Sequence, residues 1–319
     1  MTTLIEGQSD PLALLLHQWL QAKKGLSGSS ATENRYGHVM KLLRDDMHYN
    51  GFDLDGDPES IAQFVQNWVT TPRRIDKKVI SANSVKQQLA IISSFYDYAI
   101  KHEKLKANPM RRIDYPKVQE YASAEPMDYI EVTRCMKRID LTGRMGQRDF
   151  ALLAVAFTTG RRAQELVSMS LGDIAPMGGA WMVRWPRVKG GKVKHDTLEP
   201  QVAQALLFWI ISWYGPEWRT LPTDTPVWVR VERKIGERLA YHGMRLIFFR
   251  RLGANAGRMH ASRHSFARYL LKNGASVLEI QERLGHGSLD TTYRYLKSVG
   301  GGEGEKRTQV ANLIGLGEE

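Results

Sequence analysis

Apolar residues recur at helical spacing along most of this chain. Leu12, Leu14, Leu15, Leu16, Trp19 and Leu20 predict a short helix over residues 11–23, closed by the turn-like stretch Gly-Leu-Ser-Gly-Ser-Ser. Ser30 or Thr32 can cap a second, carrying Tyr36, Val39, Met40, Leu42 and Leu43. A third spans 61–69. A long fourth starts near Asn83 or Ser84 and carries Val85, Leu89, Ile92, Phe95, Tyr96 and Ile100 on one stripe. Residues 104–126 then lose the period, with two prolines and five basic residues by position 117, and read as a linker.

Beyond the linker, helical patterns cover 127–137, 148–158 and 162–169. Trp181 to Trp185 alternates instead and predicts a strand, pairing with 193–198 across Lys189-Gly190-Gly191-Lys192. Helices follow at 201–214 and 242–252, with a further strand at 227–231. In the next helix His260 and Arg263 share a face, and Phe266, Tyr269 and Leu270 supply its apolar side up to Gly274. Val277, Leu278, Ile280, Gln281 and Leu284 form another amphipathic segment, closed by Gly285-His286-Gly287. Ser288-Leu289-Asp290 caps a last helix with Tyr293 and Tyr295. The fold class is therefore mainly α: an N-terminal helical bundle, then a mainly helical domain with one small antiparallel β-sheet.

Composition narrows the partner. The chain has 319 residues, and 45 Lys+Arg against 34 Asp+Glu leave a formal charge of +11. Through position 120 the count is 16 basic against 14 acidic, and after it 29 against 20, so the excess sits mainly beyond the linker, in the second domain. Such a surplus favours a polyanion, either nucleic acid or an acidic membrane surface. Cys135 is the single cysteine, so no intrachain disulfide exists, and no apolar run approaches the ~20 residues of a membrane span. A cytoplasmic protein without membrane insertion is expected. Asp53-Leu-Asp-Gly-Asp57 imitates a calcium loop, but Phe64 stands where its glutamate belongs, so a turn is expected there and no metal.

Three motifs occur in order: Gly160-Arg161-Arg162-Ala163-Gln164-Glu165-Leu166, then His260-Ala-Ser-Arg263-His264-Ser-Phe-Ala, then Leu284-Gly-His286 with Thr291-Thr292 and Tyr295. Together they resemble the signature of the tyrosine recombinases, the phage integrase family. The resemblance implies residues 1–117 as a core DNA-binding domain, 118–126 as a linker, 127–299 as the catalytic domain and 300–319 as a glycine-hinged tail exchanged between protomers. It implies no ATP, metal or other cofactor.

Breaking and rejoining DNA without external energy needs a nucleophile that keeps the phosphodiester energy in a covalent bond. It also needs cations where charge builds on the phosphate, and an acid for the departing 5′ oxygen. By resemblance, Tyr295 is the nucleophile and Tyr293 its non-catalytic neighbour. Arg162 and Arg263 clamp the phosphate with planar forks. His260 contacts the phosphate or accepts the tyrosine proton, and His286 donates to a non-bridging oxygen. Lys189 on the hairpin turn is the general acid, with Lys192 as its competitor. Glu165 orients the site, unless it is an ordinary glutamate of a helix N-terminus. His264 is expected to be packed. Arg161 departs from the family pattern, which places an apolar residue before the clamp arginine. Arg73, Arg74, Lys77, Lys78, Lys86, Arg111, Arg112, Lys192 and Lys194 are candidate phosphate contacts, or a solvated surface.

The expected function is site-specific recombination through a 3′-phosphotyrosyl link and a Holliday junction. The partners are double-stranded DNA with specific sites and a homo-tetramer assembled on it, with room for accessory proteins. A type IB-like topoisomerase shares the chemistry but needs neither paired sites nor partners. A catalytically silent DNA-binding protein on the same scaffold is expected to lack a catalytic residue, yet all six positions are filled; a helix-turn-helix regulator explains the charge but not the motifs.

Overall fold

A computed structural model describes residues 10–28, 30–72, 80–118, 126–185, 193–253, 259–285, 292–293 and 296. The chain divides into two compact units, Met1–Gln119 and Glu120–Glu319.

The first unit holds helices α1 (Pro11–Ser27), α2 (Ser30–Tyr49), α3 (Pro58–Thr70) and α4 (Ala82–Lys101). Asp10 caps α1 by accepting from the backbone of Leu12 and Ala13. The helix runs past the expected stop at residue 23, because one internal glycine costs only about 1 kcal/mol and Gly25 meets no neighbour. It closes at Gly28, in the left-handed region at φ 62°. The aspartate-rich stretch is a turn. Asp53 accepts from Arg44 Nε at 2.9 Å and pairs with His48, while Asp57 caps α3 by accepting from Ser60. Trp19, Leu43, Val65, Ile92 and Phe95 are fully buried at the centre of the bundle. Asn108 fastens the segment after α4, donating to Asp97 at 2.8 Å and accepting from Met110 N at 3.0 Å.

The second unit contains α5 (Tyr129–Lys137), α6 (Arg144–Thr159), α7 (Ala163–Ser168), α8 (Pro200–Tyr214), α9 (Tyr241–Leu252), α10 (His260–Lys272) and α11 (Val277–Leu284). Its sheet is antiparallel in the order β1 (Ile174–Met177), β2 (Ala180–Trp185), β3 (Lys194–Leu198). Strand β1 went unread because Pro176 masks it, although an edge strand tolerates proline. Gly178 and Gly179, both at positive φ, form its hairpin turn. The mainly helical class with one small antiparallel sheet is as expected.

Helix α6 is the spine of this unit. Ala151, Leu152, Val155, Ala156 and Phe157 are buried against α8 and its neighbours. Asp149, completely buried, accepts from Arg148, Arg250 and Arg251, which ties α6 to α9. The strand expected at 227–231 is absent. Val229 bridges Arg238 and Pro226 bridges Ser170 in isolation, while Val227, Trp228 and Val229 are all buried. Core burial, not sheet pairing, explains that apolar run. Phe266, Ala267, Ile280, Leu284 and Leu296 form a separate small core between α10 and α11. Tyr269, expected on the buried side, is half exposed and rests 5.1 Å from the Tyr129 ring. No helix among the described residues is long and apolar enough to cross a membrane.

Candidate active site

The site begins where α6 stops. Gly160 caps it at φ 59°, returning its N–H to Ala156, and Arg162 lies in extended backbone just before α7. Glu165, one turn into α7 and buried, accepts twice from the same arginine. One carboxylate oxygen takes the Arg162 backbone N–H at 3.0 Å, the other its Nη1 at 3.0 Å. The helix start and the guanidinium are fixed by one acid.

Helix α10 supplies Arg263, which is buried. Its Nη1 donates to the Gly160 carbonyl at 2.9 Å and its Nη2 to the Leu284 carbonyl at 2.6 Å. Arg162 Nη2 reaches the Gly285 carbonyl at 3.4 Å, and Lys194 Nζ reaches that of Glu282 at 3.3 Å. The last carbonyls of a helix lack partners within it and carry the negative end of its dipole. Three cations from the start of α7, from α10 and from β3 therefore gather on the end of α11. That end leads directly into His286.

His260 opens α10 one turn before Arg263, and its side chain reaches solvent. Partial burial of the ring, then the charges of Arg263 and Arg162, hold its pKa below the ordinary histidine value. A neutral imidazole, able to take a proton, results. His264 is buried, 6.2 Å from the His260 ring, and burial with the charges of His260 and Arg263 pushes it down to about 4. It is packed, as its place after Arg263 suggested.

The structure thus brings together Arg162, Glu165, His260 and Arg263. Lys189, Lys192, His286 and Tyr295 lie outside the described residues, as do Arg73, Arg74, Lys77 and Lys78. Thr292 and Leu296 are buried and Tyr293 is exposed. Lys194 is half-buried and engaged by a carbonyl. Lys86, Arg111 and Arg112 are exposed on the first unit, the last two near Asp97 and Glu59. Sequence reasoning missed the part played by Arg161, which turns inward to Asp196 of β3. The signal was present: an arginine where an apolar residue is expected.

A family model described as the phage integrase family matches residues 127–299. A tyrosine recombinase XerD from Lacticaseibacillus casei is 27% identical over 223 residues, which are 66% of this chain and 71% of that one. Among solved structures, the XerH site-specific recombinase bound to palindromic difH substrate in a post-cleavage complex superposes with a TM-score of 0.65. It is 18% identical and covers 94% of this chain and 85% of that chain. A lambda integrase tetramer bound to a Holliday junction gives 0.60 at 17% identity, over 89% and 78%. At these identities the structural likeness is one of fold.

Proposed function

Because the chain belongs to the phage integrase family, we propose that it is a site-specific recombinase that cuts and rejoins DNA through a phosphotyrosine at Tyr295. The observation carrying this reading is the convergence of Arg162 and Arg263 on the last turn of α11, two elements fixing two guanidinium forks beside one another.

The phenol of Tyr295 ionises near pH ~10 and needs a base, and His260, held neutral, accepts its proton. The phenolate oxygen attacks phosphorus while Arg162 and Arg263 neutralise the charge growing on the non-bridging oxygens, with His286 donating to one of them. The P–O5′ bond breaks, and Lys189 protonates the departing oxygen. The strand is left with a 3′-phosphotyrosyl link and a free 5′ hydroxyl. Attack by the hydroxyl of a partner strand restores the phosphodiester and the tyrosine, so each bond broken is replaced and no ATP is consumed. Glu165 holds Arg162 in place for both steps.

Residues 127–299 carry this chemistry. Residues 1–117 grip the DNA with Lys86, Arg111 and Arg112 among their phosphate contacts, and the tail of 300–319 links copies. Two sites are held by four copies, an arrangement supported by the similar fold of the tetramer on a Holliday junction. Phosphate neutralisation releases counterions, so affinity falls steeply with salt.

The test uses a nicked duplex bearing the sequence that the protein selects from a randomised pool, followed by a denaturing gel. A covalent adduct is expected from the native chain and from Tyr293→Phe but not from Tyr295→Phe, and two intact sites should exchange strands. Tight binding without an adduct would overturn the reading in favour of a silent DNA-binding protein. An adduct with supercoil relaxation but no exchange would favour a topoisomerase.

A further inference from the structure

Arg161 is 2% exposed, an uncommon place for a guanidinium. Its Nε donates to Asp196 Oδ2 at 2.6 Å and its Nη2 to Oδ1 at 2.7 Å, a two-pronged contact. The same Oδ2 accepts from the Trp185 indole N–H at 2.8 Å, and the guanidinium carbon lies 5.6 Å from the centre of the Trp185 ring. Trp185 ends β2 and pairs with Lys194, the first residue of β3, while Asp196 pairs with Val183. The connection between these strands, 186–193, includes Lys189. One side chain therefore grips both roots of that connection, and its backbone neighbour is Arg162.

Stability alone is a weak reason for this arrangement. A buried ion pair is often no better than apolar side chains of similar volume. Arg161 also carries a cost, because its Nη1 is buried with no hydrogen-bond partner among the described residues. What a charged fork supplies, and an apolar residue does not, is a fixed direction. We propose that Arg161, acting through Asp196 and Trp185, is a positioning residue that fixes the ends of β2 and β3 relative to Arg162, and that the contribution of Lys189 to the rate depends on it. The inference rests on Lys189 being the general acid.

The experiment compares two nicked duplexes of the selected sequence, one ordinary and one with sulfur in place of the bridging 5′ oxygen at the scissile phosphate. A thiol ionises near pH ~8.5, so the sulfur departs as thiolate and needs no acid. Arg161→Leu leaves Asp196 unpaired, so Arg161→Leu with Asp196→Asn is made beside it. That double variant has neither charge yet keeps an acceptor for Trp185. Both are checked for thermal unfolding before rates are measured.

On ordinary DNA, single-turnover adduct formation by the double variant should fall about tenfold to hundredfold, the scale of a misplaced proton donor. On the sulfur duplex it should lie within about threefold of the native rate, as should DNA affinity on both. Arg161→Lys, which keeps charge without the fork, should recover little. Equal losses on both duplexes, or no loss in a folded double variant, overturn the inference. Lys189→Ala separates the two claims. If sulfur does not rescue it, the general-acid assignment fails and the inference with it. If sulfur rescues Lys189→Ala but not the Arg161 variants, the inference alone fails.

Discussion

Arg263 donates to the backbone carbonyl of Gly160 at 2.9 Å, although 103 residues separate them in sequence. The glycine serves a second partner. A Cβ at position 160 would fall 2.3 Å from Cδ1 of Phe266, so the ring of α10 occupies the space a side chain would take. Through this one residue α10 is seated against the end of α6, and Arg263 is seated beside the segment that carries Arg162.

Gly160→Ala should therefore meet two costs. The left-handed φ of 59° costs about 1 kcal/mol for a residue with a Cβ, and displacing Phe266 adds about 1–3 kcal/mol. A total loss of about 2–4 kcal/mol in urea unfolding is expected. Combining it with Phe266→Leu should recover part of the loss, and strict additivity of the two would contradict the contact.

Glu165 makes a different kind of contact. Both of its oxygens accept from Arg162, and it is buried, so a glutamine would turn an amide N–H₂ toward one of those donors. Glu165→Gln should lower single-turnover adduct formation about tenfold or more while DNA affinity changes less than about threefold. If only thermal stability falls and the rate holds, Glu165 caps α7 and does nothing for the arginine.

Much of this was legible in the sequence, for identifiable reasons. Helices α3, α4 and α8 were read within a few residues because a single apolar stripe faces a single core. The spacing of His260 and Arg263 placed them on one helix face. Strand β1 was lost because propensity penalises Pro176, although Gly178-Gly179 announced its turn. The strand expected at 227–231 failed for the opposite reason, since a run of buried apolar residues carries no information about pairing. The convergence of Arg162, Arg263 and Lys194 on the end of α11 was invisible because its acceptors are backbone carbonyls, which every residue has. The contact of Arg161 with Asp196 spans 35 residues, and no local pattern encodes it.

Asp149 offers a prediction about stability. It is completely buried and accepts from Arg148 at 2.6 Å, Arg250 at 3.0 Å and Arg251 at 2.8 Å. Asp149→Ala strands the buried Arg148 and should cost about 3–5 kcal/mol. Arg250→Ala removes a partly exposed partner and should cost less than about 1 kcal/mol. Urea unfolding of the two variants checks the ratio, and comparable losses would mean that the arginines share the load.

The two histidines of α10 each predict a benefit from neutral pH, one for rate and one for stability. Because burial, Arg263 and Arg162 lower the pKa of His260, it stays deprotonated at and somewhat below the usual histidine value of 6.5. Adduct formation should therefore hold down to about pH 6.5 and decline only below it, and a decline centred above 6.5 would exclude a neutral His260 as base. His264 titrates near 6.5 when unfolded and at about 4 when folded. Above 6.5 neither state binds its proton, so its contribution is constant. Between 6.5 and 4 the unfolded chain binds a proton that the folded chain refuses, so stability falls as pH falls. Carboxylates scarcely titrate between 6.5 and 5, and in that window the loss should be on the order of 1 kcal/mol once solvent screening is allowed for. Urea midpoints at pH 7, 6 and 5 measure it, and His264→Gln should flatten the slope. An unchanged slope in that variant would assign the acid sensitivity to another group.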